Sequence, residues 1–183
     1  EHSEAWRLAA PLAKAPRVLD TFAEDIKVAG VVGEQKATSL LYLCLVSRFF
    51  ARPVPVAVKG PSAAGNNYVV DKVLCFFPPD VVYVLSAMSE HALAYSEEPL
   101  SHKFLVVYEA AGLKGDFASY LVRSLISEGR IKYETVEKTA DGLKARLIER
   151  VGPTGLIVTT TAVSLHPENE TRILSILVTD TQE

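Results

Sequence analysis

A short apolar run that leads through two glycines into a helix constrains this chain most. Val54-Pro55-Val56-Ala57-Val58 reads as a strand, Gly60 and Gly65 follow it, and helical character resumes at Asn66 and lasts to Phe77, where Pro78-Pro79 stops it. The first N–H groups of such a helix have no intrahelical partner. The aligned peptide dipoles make that end partly positive. The pattern therefore predicts a turn, at the carboxyl end of a strand, whose backbone receives an anion.

Four further apolar runs have the length of strands: Val81–Leu85, Phe104–Tyr108, Leu156–Thr160 and Ile173–Val178. Apolar character on both faces belongs to parallel sheets covered on both sides. Helical segments separate the runs: Glu34–Phe50, expected to be nearly all buried, Met88–Tyr95, and the amphipathic Phe117–Glu128 with Gly129 as its stop. The fold class is α/β: three layers around a five-stranded, mainly parallel sheet, with the glycine-loop strand central. Ligands in such sheets sit at the carboxyl ends of the strands. Glu109, Thr160 and the loop before Arg172 are expected near that edge.

Residues 1–33 read as an N-terminal helical arm, in which Val18, Phe22 and Ile26 share a face, and residues 34–183 as the core. A chain of 183 residues buries roughly 70% of its unfolded surface, so no disulfide or metal staple is required. The net charge of −3 excludes a globally basic nucleic-acid binder, though not a local basic patch. No apolar run reaches the ~18 residues of a membrane span. Cys44 and Cys75 lie in apolar runs and read as two buried free thiols in a reducing, cytoplasmic setting. The four histidines are scattered, which argues against a zinc site.

One stretch breaks the buried-strand pattern. Arg130–Val136 and Leu143–Ile148 alternate polar and apolar residues around Asp141-Gly142, a strong hairpin signal. Between residues 130 and 150 stand six cations and four anions, a local surplus of two. Mixed charges on a solvated hairpin are the plain reading. A basic contact surface is the functional one.

The glycine loop carries the chemistry. A phosphate-binding loop reads Gly-x-x-x-x-Gly-Lys-[Ser/Thr] between a strand and a helix. Here the window is Gly60-Pro61-Ser62-Ala63-Ala64-Gly65-Asn66-Asn67. Both glycines keep their spacing, but Asn66 replaces the lysine and Asn67 the hydroxyl residue. The backbone half of such a site can hold a phosphate without side chains. The lysine charge on the β- and γ-phosphates is gone, and Asn67 offers Mg²⁺ only an amide oxygen. The third strand ends in Tyr108-Glu109. In P-loop ATPases, which the loop resembles, a glutamate at this strand end polarises water; a surface carboxylate is the plain reading of Glu109. A glycine turn without ligand is the plain alternative for the loop.

With these pieces in order, residues 30–180 resemble the AAA+ ATPases, and in particular the branch of the minichromosome-maintenance helicases and their plasmid or phage relatives. Gly30-Val31-Val32-Gly33-Glu34 resembles the lead into such a core. Tyr108-Glu109 stands where the family has Asp-Glu. Thr160 falls on the strand of the polar sensor residue, flanked by Thr159 and Thr161 where asparagine is common. Arg172 occupies the place of an arginine finger. The resemblance implies ATP and Mg²⁺ as ligands, a ring homo-oligomer, and a hairpin facing DNA through Lys138, Lys144 and Arg146. The family's helical lid lies outside these 183 residues. The expectation is an ATP-binding module of a DNA replication or mobile-element helicase-type protein with weak or lost hydrolysis. The alternative is a nucleotide-independent scaffold that keeps the fold. A nucleotide-kinase reading is disfavoured by the hairpin and Arg172.

Overall fold

The computed structural model describes residues 2–62, 64–85, 96–109, 120, 123–124, 126–139, 142–161 and 171–179. Three helices lead in: α1 (His2–Ala13), α2 (Val18–Val28) and α3 (Gln35–Val46), the last extended by a 3₁₀ turn at Ser47–Phe49. Then come β1 (Val56–Lys59), α4 (Asn66–Leu74), β2 (Val82–Leu85), β3 (Lys103–Val107), β4 (Arg130–Thr139), β5 (Gly142–Val151), β6 (Thr154–Thr160) and β7 (Leu174–Leu177). The described residues between 120 and 128 are helical. The expected helix at Met88–Tyr95 lies outside the described residues, as do Asp141 and the first residues of the 117–128 segment.

Five strands form one sheet in the order β2-β3-β6-β1-β7, and each neighbouring pair is parallel. β4 and β5 form a separate antiparallel pair. The fold is of the α/β class, a parallel sheet with helices packed on it and a separate antiparallel hairpin. One expectation is corrected: β6 is the middle strand, and β1 lies between β6 and the edge strand β7.

The apolar runs of β1, β3 and β6 are explained by cover on both faces. Val56, Val58, Phe104, Val106 and Ile157 pack on one side with Phe22 and Ile26 of α2, Leu41 and Leu45 of α3, and Val70 and Val73 of α4. Leu105, Val107, Leu156 and Val158 face the other side with Leu100, Ile126 and Ile131. A Cβ at Gly155 on β6 would overlap the ring of Phe104, so glycine there admits the aromatic into the sheet's core.

Two burial expectations fail. α3 is covered on one side only: Leu41 and Leu45 are buried, whereas Leu40 and Leu43 are exposed. An apolar composition marks a helix for burial but does not say whether both of its sides find neighbours. Cys44 is buried, but Cys75, the C-cap residue of α4, is exposed. No described helix is long and apolar enough to cross a membrane.

The hairpin runs ten paired positions, from Arg130↔Val151 to Thr139↔Gly142. Ile131 is fully buried at its base. Tyr133 packs against the same cluster, and beyond it the strands are largely exposed.

Candidate functional site

The loop leaves β1 at Gly60 and enters α4 through Gly65, whose φ of +78° is left-handed and free of strain only for glycine. Gly65 O accepts the Val69 N–H at 2.8 Å, closing the first helical turn. Pro61 O accepts the Ala64 N–H at 3.1 Å, so the loop turns on itself. A cavity of about 330 Å³ opens where α4 begins. Pro61, Ser62, Ala64, Gly65, Asn66 and Asn67 line one side of it, and Tyr68, Glu109 and Thr161 the rest. Ala63 lies outside the described residues. Neither lysine nor arginine lines the cavity among the described residues.

Asn66 is only 8% exposed. Its Nδ2 donates to Gly60 O at 3.2 Å and to Thr160 O at 3.4 Å. These two carbonyls fix the amide's orientation, since the flipped amide would set Oδ1 against both. Oδ1 is therefore left buried, with no hydrogen-bond donor among the described residues, and the same holds for Asn67 Oδ1. A Cβ at Gly60 would overlap Asn66 Oδ1 and Val178 O, so this glycine is what lets the amide tuck in. Asn66 thus joins the start of the loop to the end of β6. Its lost lysine is legible in the sequence, and its structural task is not.

The third strand's end shows the same inward turn. Tyr108 donates its phenolic hydrogen bond to Asp71 Oδ1 on α4. Burial first, then the bond and charge of Asp71, push the phenol above its usual range. Glu109 follows in left-handed backbone at φ +54°, and its N–H donates to Thr159 Oγ1 at 2.9 Å. Non-glycine residues held there store of order 1–3 kcal/mol and cluster at functional sites. The hydroxyl that meets Glu109 is that of Thr159. Thr160 is buried and contributes its carbonyl to Gly60 N–H and Asn66. Strand alternation, with Thr159 paired to Val58 and Thr160 to Lys59, is the signal that distinguishes them.

Arg172 is not near the loop edge. It precedes β7, at the amino end of the sheet, and its Nη1 donates to Ser127 Oγ. The loop before it, residues 162–170, expected near the carboxyl edge, lies outside the described residues. Thr161 and Glu109 do share the carboxyl edge with the loop. The hairpin's basic residues are also split. Direct pairing puts Lys138 opposite Leu143 and Lys144 opposite Glu137, so the two lysines point from opposite faces. Arg146 shares the Lys144 face and is bonded to Glu137 at 2.7 Å. On the other face Arg130 and Lys132 flank Glu149 at 3.7 and 3.8 Å.

No group of three or more His, Cys, Asp and Glu that could hold a metal exists among the described residues. The lining residues bring hard oxygens, the Glu109 carboxylate with the Ser62 and Thr161 hydroxyls, while the two asparagine Oδ1 atoms are buried. Such a set suits Mg²⁺ that shares its shell with phosphates and water rather than a protein cage.

No family model and no curated sequence matches the chain. Solved structures do. NtrX from Brucella abortus crystallised with ATP is similar at 14% identity and a TM-score of 0.49, over 96% of this chain and 42% of that one. The same protein with ADP gives 14% and 0.47 over the same shares. The apo C-terminal region of NrS-1 gives 13% and 0.48, over 94% of this chain and 41% of that one. The chain thus spans less than half the length of these structures. The fold itself stands on the strand order and the position of the loop.

Proposed function

We propose that this chain is a nucleotide-binding P-loop module of a DNA replication or mobile-element helicase-type protein, with weak or absent ATP hydrolysis. The observation that carries this reading is the cavity at the start of α4. It joins a glycine loop, a helix N-terminus and Glu109 at the carboxyl edge of a parallel sheet, and its described lining holds no cation. Backbone N–H groups of the loop and α4 would receive phosphate oxygens. Asn67 and Glu109 would hold Mg²⁺, whose chemistry when bound is to offset phosphate charge. Glu109, fixed by Thr159, would orient water. Without a lysine on the β- and γ-phosphates, the charge stabilisation that dominates phosphoryl transfer is reduced. Arg172 would act on the nucleotide of a neighbouring copy in a ring, and Lys138, Lys144 and Arg146 would meet DNA.

A second reading, a scaffold that needs no nucleotide, is favoured by one observation. Asn66 and Tyr108, at the lysine and aspartate positions, are both engaged inside the protein. Equilibrium titration with a fluorescent ATP analogue, with and without Mg²⁺, separates the two. Saturable binding supports the module. No binding at millimolar nucleotide supports the scaffold.

A further inference from the structure

From Glu4 to Ala13 no residue of α1 is buried. Trp6, the chain's single tryptophan, is 59% exposed, Leu8 73% and Leu12 48%. Leu8 and Leu12 stand four apart on one face, which Trp6 widens, and Glu4 and Arg7 pair on the other side at 3.9 Å. An isolated helix of this length is marginal in water. The link to α2 sets the direction of α1. Ala15 N–H is bonded to Leu12 O and Asp20 N–H to Arg17 O, both at 3.0 Å, with Pro16 between them. The helix is thereby an arm whose apolar side faces solvent.

The body carries a surface of matching kind. Leu40, Leu43, Val46 and Phe49 follow at intervals of three along α3 and the 3₁₀ turn that extends it, neighbours on the helix surface. Leu40, Leu43, Phe49 and Phe50 stay 42%, 47%, 64% and 62% exposed. From Leu40 to Phe49 this strip is about 14 Å long, and the twelve residues of α1 span about 18 Å. We propose that α1 of one copy lies on the strip of a second copy, and that the second copy's α1 lies on the strip of the first. The bonded link holds each arm off its own strip, and a second copy's arm is free of that constraint. The exchange is isologous and closes as a pair. Three exposed side chains of the arm and four of the strip leave on the order of 800 Å² per copy to cover. A stable interface of standard size takes about 800 Å² from each partner. Trp6 and Phe49 are its anchors, because a few large aromatics carry most of the energy of such contacts. Nothing in this pairing depends on a nucleotide.

The test is sedimentation of the full chain over a concentration series, with Trp6 emission followed in parallel. A monomer–dimer equilibrium is expected, with the emission moving to the blue as the dimer forms. Trp6→Ala on the arm should weaken the dimer on the order of tenfold or more, and so should Leu43→Gln with Phe49→Ser on the strip. These side chains are exposed in the single copy, so the variants keep the fold. Mixed together, the arm variant and the strip variant should associate more tightly than either alone. In the mixed pair one intact arm meets one intact strip. A chain that stays monomeric at every concentration overturns the proposal. So does an assembly larger than two, a dimer that neither variant weakens, or a mixture that recovers nothing.

Discussion

Tyr108 donates a hydrogen bond from its hydroxyl to the carboxylate of Asp71, and so joins the end of β3 to the second turn of α4. An aspartate at position 108 would instead face a like charge. The bond explains why a tyrosine is at home at the end of β3.

Replacing Tyr108 by Phe should destabilise the fold by about 0.5–1.5 kcal/mol, the range for one intramolecular hydrogen bond. Its pH signature is specific. The neutral phenol is favoured by burial and by Asp71, so its folded pKa lies above the unfolded value of about 10. That contribution is complete below about pH 10 and is lost as pH rises above it. Burial also pushes Cys44 up to about 11, but this thiol is common to both proteins and cancels in the comparison. Urea unfolding between pH 8 and 11 should show a steeper alkaline loss for the unaltered chain than for Tyr108→Phe. Equal slopes would remove the Tyr108–Asp71 bond from the account.

Asn66→Lys together with Asn67→Ser should tighten nucleotide binding and lower stability at once. The new lysine brings charge to the phosphates but gives up the two carbonyl bonds that Asn66 makes inside the loop. The Thr160 carbonyl keeps the Gly60 N–H, but the Gly60 carbonyl loses the Asn66 amide, and an unpaired buried acceptor costs about 1–3 kcal/mol. Adding saturating nucleotide should recover part of the loss in a thermal unfolding scan. A double variant as stable as the parent would show that the Asn66 bonds contribute nothing.

Glu109 sits at φ +54°, where only glycine is unstrained. Glu109→Gly should leave stability unchanged or raise it by up to about 1 kcal/mol, while Glu109→Val should lower it by more than that. Any slow ATP hydrolysis should vanish in Glu109→Gly and in Glu109→Gln. Residual turnover equal to that of the parent would take Glu109 out of the chemistry.

On the hairpin, Lys138 should contribute more to DNA binding than Arg146, because Arg146 is already committed to Glu137. Lys138→Ala should flatten the slope of log affinity against log salt by ~0.9 on duplex DNA or ~0.7 on single strands. Lys138 and Lys144 project from opposite faces, so one duplex lying on one face meets one of them. A slope unchanged in both single variants would remove the hairpin from DNA contact.

The exposed Cys75 and buried Cys44 should differ sharply towards a thiol reagent. Near neutral pH the native chain should label at Cys75 alone, since only the thiolate reacts and Cys44 is both inaccessible and raised to about 11. Mass spectrometry after labelling would read this directly, and two labels on the folded chain would contradict it.

The strands were legible because burial on both faces leaves continuous β-branched runs, as in β1 and β6. The turns at Gly65 and Gly129 were legible because their positive φ demands glycine. What escaped depends on partners distant in sequence. Asn66 reads as a loss until the Thr160 carbonyl, on another strand, is placed against its amide. Tyr108 reads likewise until Asp71 is brought to it by the packing of α4 on the sheet. Thr159 and Thr160 are adjacent and identical in type, and only strand pairing tells which one turns towards Glu109.

The hairpin is anchored near one end. Ile131 is its fully buried residue, and Thr139 lies eight positions further along the strand. Tyr133 still packs on the core, so at ~3.3 Å per residue the free part, from there to Thr139, is a lever of roughly 20 Å. A tilt of about 10° at the base carries the tip through roughly 3.5 Å. The base is joined through Gly129 to the helical segment that carries Arg123, Ser124 and Ser127. A small rotation of that segment is thereby magnified at the far end, so displacement at one side of the molecule becomes stroke at the other.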